Sequence, residues 1–249
     1  MDNTVVVNKK SDNPLVREMF EAGAHFGYSK SRRHPSVETF IFGYKNKVAI
    51  LNLEKGAESL SKILDFVSDL GQNSKQILFV GNKAEAKQVV KAGALSINMP
   101  YVAERWIGGA LTNTSEIKKR LNRLEEIKAD EENGALQKYT KKERNLIAKE
   151  KEDLERNFGG ITGLKKLPDA MLVIDSDAEV IAMNEAIKMH IPVIGLANSD
   201  CNISNLNYAL VGNDASVRSI EYFISKVVEA YKEGKKNAPK ATPETNPVA

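Results

Sequence analysis

Short apolar runs alternate with amphipathic segments along most of this 249-residue chain. Five runs are apolar at successive positions, a pattern typical of strands that are covered on both faces of a sheet. These runs are VAILNL (48–53), QILFVG (76–81), AMLVID (170–175), PVIGLA (192–197) and YALVG (208–212). We therefore expect β-strands at these five positions.

Three further segments carry apolar residues at the spacing of one helix face. These apolar stripes occupy residues 86–97, 178–189 and 217–231. Ser176 and Glu179 form a capping-box pattern at the start of the second helix. Asn213 or Asp214 is expected to cap the third helix. Strands that alternate with such helices predict an α/β fold, in which a mostly parallel sheet is covered by helices on both faces.

Residues 113–157 interrupt this alternation. About half of them are charged, with the two signs nearly balanced, and only a thin apolar seam runs through them. Asn113 marks a helix start, Gly134 a turn, and Thr140 with Glu143 a second capping-box pattern. The segment therefore predicts an antiparallel coiled-coil hairpin inserted into the α/β domain. A plain solvated hairpin at the surface remains the alternative.

The remaining ranges complete the predicted organisation. Residues 1–13 are expected to form a flexible arm and residues 232–249 a disordered basic tail, which leaves residues 14–112 and 158–231 for the α/β domain. No apolar run approaches the roughly 20 residues of a membrane helix, and no targeting peptide is recognisable, so we expect no membrane association. The single cysteine, Cys201, excludes an internal disulfide framework and fits a reduced, cytoplasmic location.

Signals of enzyme chemistry are weak. An α/β sheet favours ligand binding at the carboxyl ends of its strands, but neither a GxGxxG nor a GxxxxGKS/T motif occurs. The glycine pair Gly108-Gly109 in RWIGGALTN lacks the lysine of a phosphate-binding loop. Asp175 and Asp200 follow predicted strands, where catalytic carboxylates occur, although helix capping is the preferred explanation of Asp175. An enzyme that binds a nucleotide or small molecule through these four residues remains an alternative function.

The other chemically versatile residues show no supporting pattern. His25, His34 and His190 lack metal-binding spacing, and Cys201 has no evident histidine partner. We therefore predict no metal site, no cofactor and no catalytic residue.

The strongest local signal is positive charge. Residues 24–50 contain one acid, Glu38, against five cations, which are Lys30, Arg32, Arg33, Lys45 and Lys47. Aromatic residues lie between these cations, and such a mixture suits phosphate contacts and stacking on RNA. A half-buried aromatic hairpin, FIFGYKNKVAI, explains the same residues, with Phe40 and Phe42 facing the core. Composition alone leaves both interpretations open.

Several motifs resemble, in the same order, those of the ribosomal protein S2 family of the small ribosomal subunit. They are AGAHFGYSKSRRHPSVETFIFGYKNKVAILNLEK (22–55), ILFVGNKAEA (77–86), RWIGGALTN (105–113), YTKKE (139–143), FGGI (158–161), LPDAMLVID (167–175) and VGNDASVRSI (211–220). The resemblance extends over about residues 14–231 and is to the bacterial or organellar branch of the family. Many spaced motifs in one order make it specific.

This resemblance implies a Rossmann- or flavodoxin-like domain with a projecting coiled-coil hairpin, the architecture that the hydrophobic pattern also predicts. It implies a structural, non-catalytic protein that contacts small-subunit rRNA and other small-subunit proteins, including the mRNA-binding protein S1. RWIGGALTN would connect the body to the hairpin. We expect RNA contacts from Lys30, Arg32, Arg33, Lys45, Lys47, Arg105, Trp106, Lys118 and Lys119. A hairpin that serves only as a protein-docking arm is a further alternative.

The chain departs from the usual family pattern at three places. Tyr28 stands where a second histidine is common, which weakens any histidine-pair site. The loop ANSDCNISNLN (197–207) lacks the usual Asp-Pro-Asp, and Ala215 replaces the second acid of Gly-Asn-Asp-Asp. We therefore do not carry over the contacts that the family makes through this loop.

Overall fold

Two β-sheets and seven α-helices form the part of the chain that this computed structural model describes, residues 13–164 and 166–238. The helices are α1 (Pro14–Glu21), α2 (Leu53–Gln72), α3 (Ala84–Leu95), α4 (Thr114–Glu132), α5 (Lys141–Phe158), α6 (Val180–Lys188) and α7 (Val217–Lys236). The strands are β1 (Phe26–Ser29), β2 (Ile41–Lys45), β3 (Val48–Leu51), β4 (Ile77–Val80), β5 (Tyr101–Val102), β6 (Ala170–Ile174), β7 (Val193–Ala197) and β8 (Tyr208–Val211). Predictions for residues 1–12 and 239–249 lie outside the described residues.

Five parallel strands form the main sheet, in the order β5-β4-β6-β7-β8. Four of them lie at predicted apolar runs, and every residue of β4, β6 and β7 is buried. The edge strand β5 has only two residues, too few to carry a periodicity that predicts it. A parallel sheet with helices on both faces confirms the predicted Rossmann-like α/β class.

The hydrophobic core has two halves, because alternate residues of a strand point to opposite faces of the sheet. On one face, Ile77 and Phe79 of β4 pack in a cluster with α2, α3 and α7. On the other face, Leu78 and Val80 belong to a cluster that includes residues of α4, α5 and α6. The apolar seam of α4 and α5 is therefore continuous with the core of the main sheet.

Helices α2 and α7 pack in direct backbone contact on the first face. At Gly71 an added Cβ would lie less than 3.0 Å from the carbonyl oxygen of Tyr231, a distance that real Cβ atoms do not adopt. At Gly234 an added Cβ would meet the carbonyl oxygen of Ser68 in the same way. The two glycines allow a helix separation that any larger residue prevents. Helices α1 and α2 lie outside the three predicted stripes.

A second, antiparallel sheet has the order β1-β3-β2. Strands β2 and β3 form the predicted aromatic hairpin and are joined by a two-residue turn at Asn46 and Lys47. Ala49 and Leu51 of β3 are buried, so the residue between them, Ile50, points to the opposite, outer face of this small sheet.

The structure contradicts the expected core position of Phe42. The pairing of β2 with β3 shifts between Ile41 and Gly43, which is the mark of a β-bulge. Ile41 pairs with buried Leu51, and the extra residue, Phe42, is 62% exposed. Phe40, by contrast, packs against a small buried cluster, as predicted.

Helices α4 and α5 occupy the region of the predicted hairpin. The short connection 133–140 contains a 3₁₀ turn, which obliges the second helix to return antiparallel to the first. The capping box is confirmed, because Thr140 Oγ1 accepts from the N–H of Glu143 (3.4 Å) and Glu143 accepts from the N–H of Thr140 (2.9 Å). Leu124 and Leu154 are buried in one cluster, and ion pairs join the helices outside it. Coiled-coil packing between the two helices stays a prediction.

Two predicted caps are wrong. Helix α6 begins at Val180 without a cap from Ser176, and Glu179 instead accepts a hydrogen bond from the N–H of Asn82 (2.9 Å). Helix α7 begins without a side-chain cap, because Asp214 forms its bonds elsewhere. Glu179 and Asp214 instead bond to residues that follow other strands and are distant in the sequence. A local capping pattern does not reveal such contacts.

Two predicted boundaries also shift. Helix α7 continues to Lys236, so the first residues of the predicted tail 232–249 are helical. Helix α1 begins at Pro14, and the side chain of Asn13 accepts from the N–H of Leu15 (3.0 Å). The last residue of the predicted arm is therefore a helix cap.

We predict that Gly71→Ala destabilises the protein by about 1–3 kcal/mol, because the added methyl group has no room beside the Tyr231 carbonyl. Urea denaturation followed by circular dichroism measures the change. Gly159→Ala is the matched control, since an added Cβ there meets no atom within 4 Å and the backbone is right-handed helical. Equal losses in the two variants would contradict the close approach of α2 and α7.

Candidate nucleic-acid interface

Four exposed cations meet at one end of the small sheet. Lys45 ends β2, and Lys47 lies in the turn that leads to β3. Strand β1 ends beside this turn, where the N–H of Lys30 donates to the carbonyl of Lys47 (2.9 Å) and Arg32 follows in a 3₁₀ turn. Within residues 13–164 and 166–238, no carboxylate forms an ion pair with any of the four. We call Lys30, Arg32, Lys45 and Lys47 the cationic cluster.

The turn that carries Lys47 is conformationally costly. Asn46 and Lys47 have φ angles of 50° and 67°, both in the left-handed region, as in a type I′ turn. Glycine is the favoured residue at the second of these positions, and a lysine there costs roughly 1 kcal/mol. A lysine is therefore present where glycine would make the turn more stable.

Aromatic rings hold two of the four cations in place. The Nζ atom of Lys30 lies 5.4 Å from the centre of the Tyr44 ring. The guanidinium carbon of Arg32 lies 5.4 Å from the centre of the Tyr28 ring. Both distances allow cation–π attraction, which positions the charge without neutralising it.

Hydrogen bonds anchor the small sheet to the carboxyl end of β7. Ser199, which is buried there, accepts with its Oγ from the N–H of Tyr28 (2.8 Å). The carbonyl oxygen of Ser199 accepts from the N–H of His34 (2.9 Å). At Gly27 an added Cβ would lie 3.1 Å from Ser199 Oγ and from the Cβ of Ala49, so glycine allows this close approach. The cationic cluster is therefore held on a rigid base.

A partly buried ion cluster lies beside this anchor, at the carboxyl edge of the main sheet. Lys83 Nζ donates to Asp175 Oδ2 (3.1 Å) and to Asp214 Oδ2 (2.9 Å). The same ammonium donates to the hydroxyl of Tyr28 (3.0 Å), and the amide of Asn198 donates to Asp214 Oδ1 (2.7 Å). Burial alone would lower the pKa of Lys83, but its bonds to Tyr28 and Asp214 and the nearby carboxylate charges raise that pKa above its ordinary value. The ammonium therefore stays charged.

This ion cluster occupies the edge of the sheet where α/β enzymes bind their ligands. Asp175, Cys201 and Asp214 bring possible metal-ligand atoms within 4.8 Å of one another. The ammonium of Lys83 bonds to both carboxylates and supplies a positive charge beside them. Burial, together with the charge of Asp175, raises the pKa of the Cys201 thiol to about 12, so this thiol is protonated at neutral pH.

The motif RWIGGALTN folds around an internal anion, the carboxylate of Glu185 on α6. Trp106 Nε1 (3.1 Å) and the N–H of Gly109 (2.7 Å) donate to Glu185 Oε1. The N–H of Leu111 (3.0 Å) and both the N–H and the hydroxyl of Thr112 (3.2 Å each) donate to Oε2. Gly109 has a φ of 91°, which favours glycine. A loop that resembles a phosphate cradle therefore holds a carboxylate of the protein itself.

Glu185 is a residue that sequence reasoning missed. Burial opposes its ionisation, but hydrogen bonds from Gly109 and Trp106, with those from the rest of the loop, lower the pKa of this carboxyl below its ordinary value. Glu185 lies within the apolar stripe 178–189, next to buried Ala186. An acid on the buried side of a helix needs partners, and this is the signal that could have identified it.

Arg33 and Arg105 are the two predicted arginine contacts outside the cationic cluster. Arg33 forms an ion pair with Glu38 at 2.7 Å, which partly neutralises it. Arg105 is exposed, but its neighbour Trp106 is only 5% exposed and donates to Glu185. Trp106 therefore has little ring surface for RNA to contact.

Lys118 and Lys119, the remaining predicted contacts, lie in the first turns of α4. Both side chains are exposed. Lys119 forms an ion pair with Glu116 at 2.6 Å, three residues before it on the same helix. The structure therefore divides the predicted residues between the small sheet and the base of the hairpin.

The parallel main sheet and its two helical layers define a Rossmann-like α/β protein, to which the small antiparallel sheet adds a cationic surface. The chain matches the family described as Ribosomal protein S2 over residues 19–234, and it belongs to that family. Membership implies a structural protein of the small ribosomal subunit, a class that is generally non-enzymatic. Among the helices of the described ranges, none has the length and apolar character needed to cross a bilayer.

We predict that Glu185→Ala lowers the free energy of unfolding by about 3 kcal/mol or more, because the buried donors of the loop lose their acceptor. Chemical denaturation followed by the fluorescence of Trp106, the single tryptophan, measures the loss. Glu185→Gln is expected to be intermediate, since an amide keeps one acceptor oxygen. Glu229→Ala, at an exposed position of α7, is the control. If Glu185→Ala lowers the free energy of unfolding no more than Glu229→Ala does, the Glu185 carboxylate is not needed as the acceptor for this loop.

A second buried acid, Glu179, makes stability depend on pH. It is 2% exposed, and its Oε1 accepts from the N–H of Asn82 (2.9 Å). Burial raises the pKa of Glu179 to about 7, in spite of this hydrogen bond. Because the fold favours the neutral carboxyl, its contribution to stability is complete below the unfolded pKa and is lost as pH rises through about 7.

Glu179→Gln is therefore expected to raise the thermal unfolding midpoint at about pH 8 and to change it much less near pH 5. The amide keeps the acceptor for Asn82 but has no charge to bury. Thermal unfolding of both proteins at the two pH values measures the difference. A shift of the same size at both would show that ionisation of Glu179 does not matter.

Proposed function

We propose that the cationic cluster binds the phosphate backbone of small-subunit rRNA. One observation carries this proposal: four exposed cations lie at one end of the small sheet, and no described carboxylate pairs with any of them. Unpaired cations at one end of a sheet concentrate positive potential. In a ribosomal protein, the phosphates of rRNA are the counter-ions that such a surface attracts.

The way in which the small sheet is anchored supports binding in a defined position. Ser199 and Lys83 fix Tyr28, which lies two residues before Lys30 of the cationic cluster. A preorganised surface loses little conformational freedom on binding, so more of the attraction is realised as affinity. The strained turn supports the same proposal, because a lysine at position 47 is explained if its charge contacts RNA.

We propose further, weaker contacts from Arg33, Arg105, Lys118 and Lys119. Arg33 and Lys119 then exchange their carboxylate partners for phosphates, which reduces their net contribution. Trp106 supports the contact of Arg105 by holding the RWIGGALTN loop on Glu185 rather than by stacking on a base.

The proposed role is structural and takes place on cytoplasmic ribosomes. At the edge where a ligand would bind, Asp175 and Asp214 are already bonded to Lys83 of the same chain, which argues against the alternative enzyme. The charged outer surface of α4 and α5 offers a docking face for neighbouring small-subunit proteins, and family membership makes the mRNA-binding protein S1 a candidate among them.

Lys45→Gln combined with Lys47→Gly is expected to weaken binding to transcribed small-subunit rRNA. When two phosphate contacts are lost, the plot of log binding constant against log salt concentration becomes less steep, and the magnitude of its slope falls by about 1.4 to 1.8. Glycine suits the left-handed conformation at position 47, so weaker binding does not arise from damage to the turn. Filter binding across a salt series measures both the affinity and the salt dependence.

Lys232→Gln is the matched control for this experiment. Lys232 is exposed near the end of α7, and the hydroxyl of Tyr231 donates to the carbonyl of Lys75, just before β4 (2.9 Å). Lys232 therefore lies at the amino edge of the main sheet, away from the small sheet. Identical salt dependence in the double variant, the control and the natural protein would contradict the proposed interface.

A further inference from the structure

The outer face of the small sheet exposes aromatic surface that phosphate contacts do not use. Phe26 of β1 and Phe42 of β2 are 49% and 62% exposed. They flank Ile50 of the central strand, because Phe26 pairs with Ile50 on one side, and Gly43, next to Phe42, pairs with it on the other. We call Phe26, Phe42 and Ile50 the aromatic platform.

The aromatic platform is open on the β2 side of Ile50. Gly43 has no side chain, and an added Cβ there would meet no atom within 4 Å. No side chain of β2 therefore rises at the point opposite Ile50. Neighbouring strands lie about 4.8 Å apart, so the backbones of Phe26 and Gly43 are separated by roughly 10 Å. A flat ring can therefore approach the sheet over Ile50 from the side of Gly43.

The ring of Phe26 is held in place by its neighbours. Its centroid lies 4.0 Å from that of His25. The His25 ring is in turn stacked on Phe20, with centroids 4.5 Å apart and an interplanar angle of 12°. A ring that is already packed loses little freedom when another ring stacks on its open side.

Cations border the aromatic platform along the strands. Lys45 pairs with Val48, two residues before Ile50 on the central strand, and Lys47 lies in the adjoining turn. Both lysines are exposed. Flat apolar rings beside cations that have no carboxylate partner among the described residues are complementary to single-stranded RNA, which presents base faces for stacking and phosphates for charge contacts.

We propose that the aromatic platform binds an unpaired segment of RNA, with bases stacked on Phe26 and Phe42 and the adjoining phosphates on Lys45 and Lys47. This inference rests on the proposed function and specifies the form of RNA that the small sheet recognises. A duplex keeps its base faces inside the helical stack and offers its backbone and groove edges instead. The cationic border favours RNA over a protein occupant, which would have to bring acidic groups to both lysines.

Fluorescence anisotropy with a labelled oligouridylate of about 12 nucleotides, and with an RNA duplex of the same length, tests this proposal. Phe42→Leu is expected to lower the affinity for the single strand by roughly 5-fold or more and to leave the affinity for the duplex unchanged. Phe42→Trp, which keeps a ring for stacking, is expected to retain the affinity of the natural protein. Because Phe42 is largely exposed, both variants are expected to fold, and circular dichroism checks this.

An abasic oligonucleotide of the same length is the matched ligand. It keeps the phosphates that Lys45 and Lys47 contact but has no bases to stack. Phe42→Leu is therefore expected to bind the abasic strand as tightly as the natural protein does, whereas Lys45→Gln with Lys47→Gly binds it more weakly.

The outcomes separate this inference from the proposed function. Unchanged single-strand affinity in Phe42→Leu, or equal losses for single strand and duplex, would overturn base stacking. If the double variant Lys45→Gln with Lys47→Gly still loses affinity in that case, the proposed phosphate contacts stand although base stacking does not. If neither Phe42→Leu nor the double variant changes binding, both proposals fail. Loss of binding to purified small-subunit proteins, with RNA affinity intact, would assign the platform to a protein and also overturn the inference.

Discussion

A single ammonium group, that of Lys83, links the two sheets of this protein. It follows β4 and bonds to Asp175 after β6, to Asp214 after β8, and to the hydroxyl of Tyr28 on β1. Without this charge, buried Asp214 and half-buried Asp175 would lie close together with no described cation bonded to them, an arrangement that proteins avoid. The same bonds fix the small sheet on the carboxyl edge of the main sheet. The position of the cationic surface therefore depends on an interaction inside the protein.

Glu185 shows the same principle at a second place. RWIGGALTN has the glycine pair and backbone donors of an anion-binding loop, and an anion does lie in it, but that anion is a side chain of α6. At both places, polar groups that would bind a ligand in an α/β enzyme are satisfied by the chain itself. These internal bonds join strand ends and loops that are distant in the sequence.

The sequence predicts those features whose causes are local. The buried strands follow from continuous apolar runs, and the Thr140 capping box follows from two side chains three residues apart. Phe42 is misplaced because its direction depends on a bulge, and a bulge is a property of two paired strands rather than of one. Asp214 and Glu179 are misassigned because their partners come from other strand ends. The sequence predicts which residues of the candidate site are charged. It does not predict that they have no described carboxylate partner, because ion pairing depends on the folded surface.

Lys83 and Lys47 show why that freedom matters. Lys83 forms ion pairs with two carboxylates, and these pairs stabilise the fold. Lys47 has no described carboxylate partner and sits in a turn whose conformation suits glycine better, so its presence lowers the stability of the free protein. A strained cation with no described carboxylate partner is favoured in a state that supplies an anion, and under the proposed function the phosphates of RNA supply it. The proposed RNA contacts would explain the strain in the turn and the exposed rings beside it together, as features whose benefit comes on binding rather than on folding.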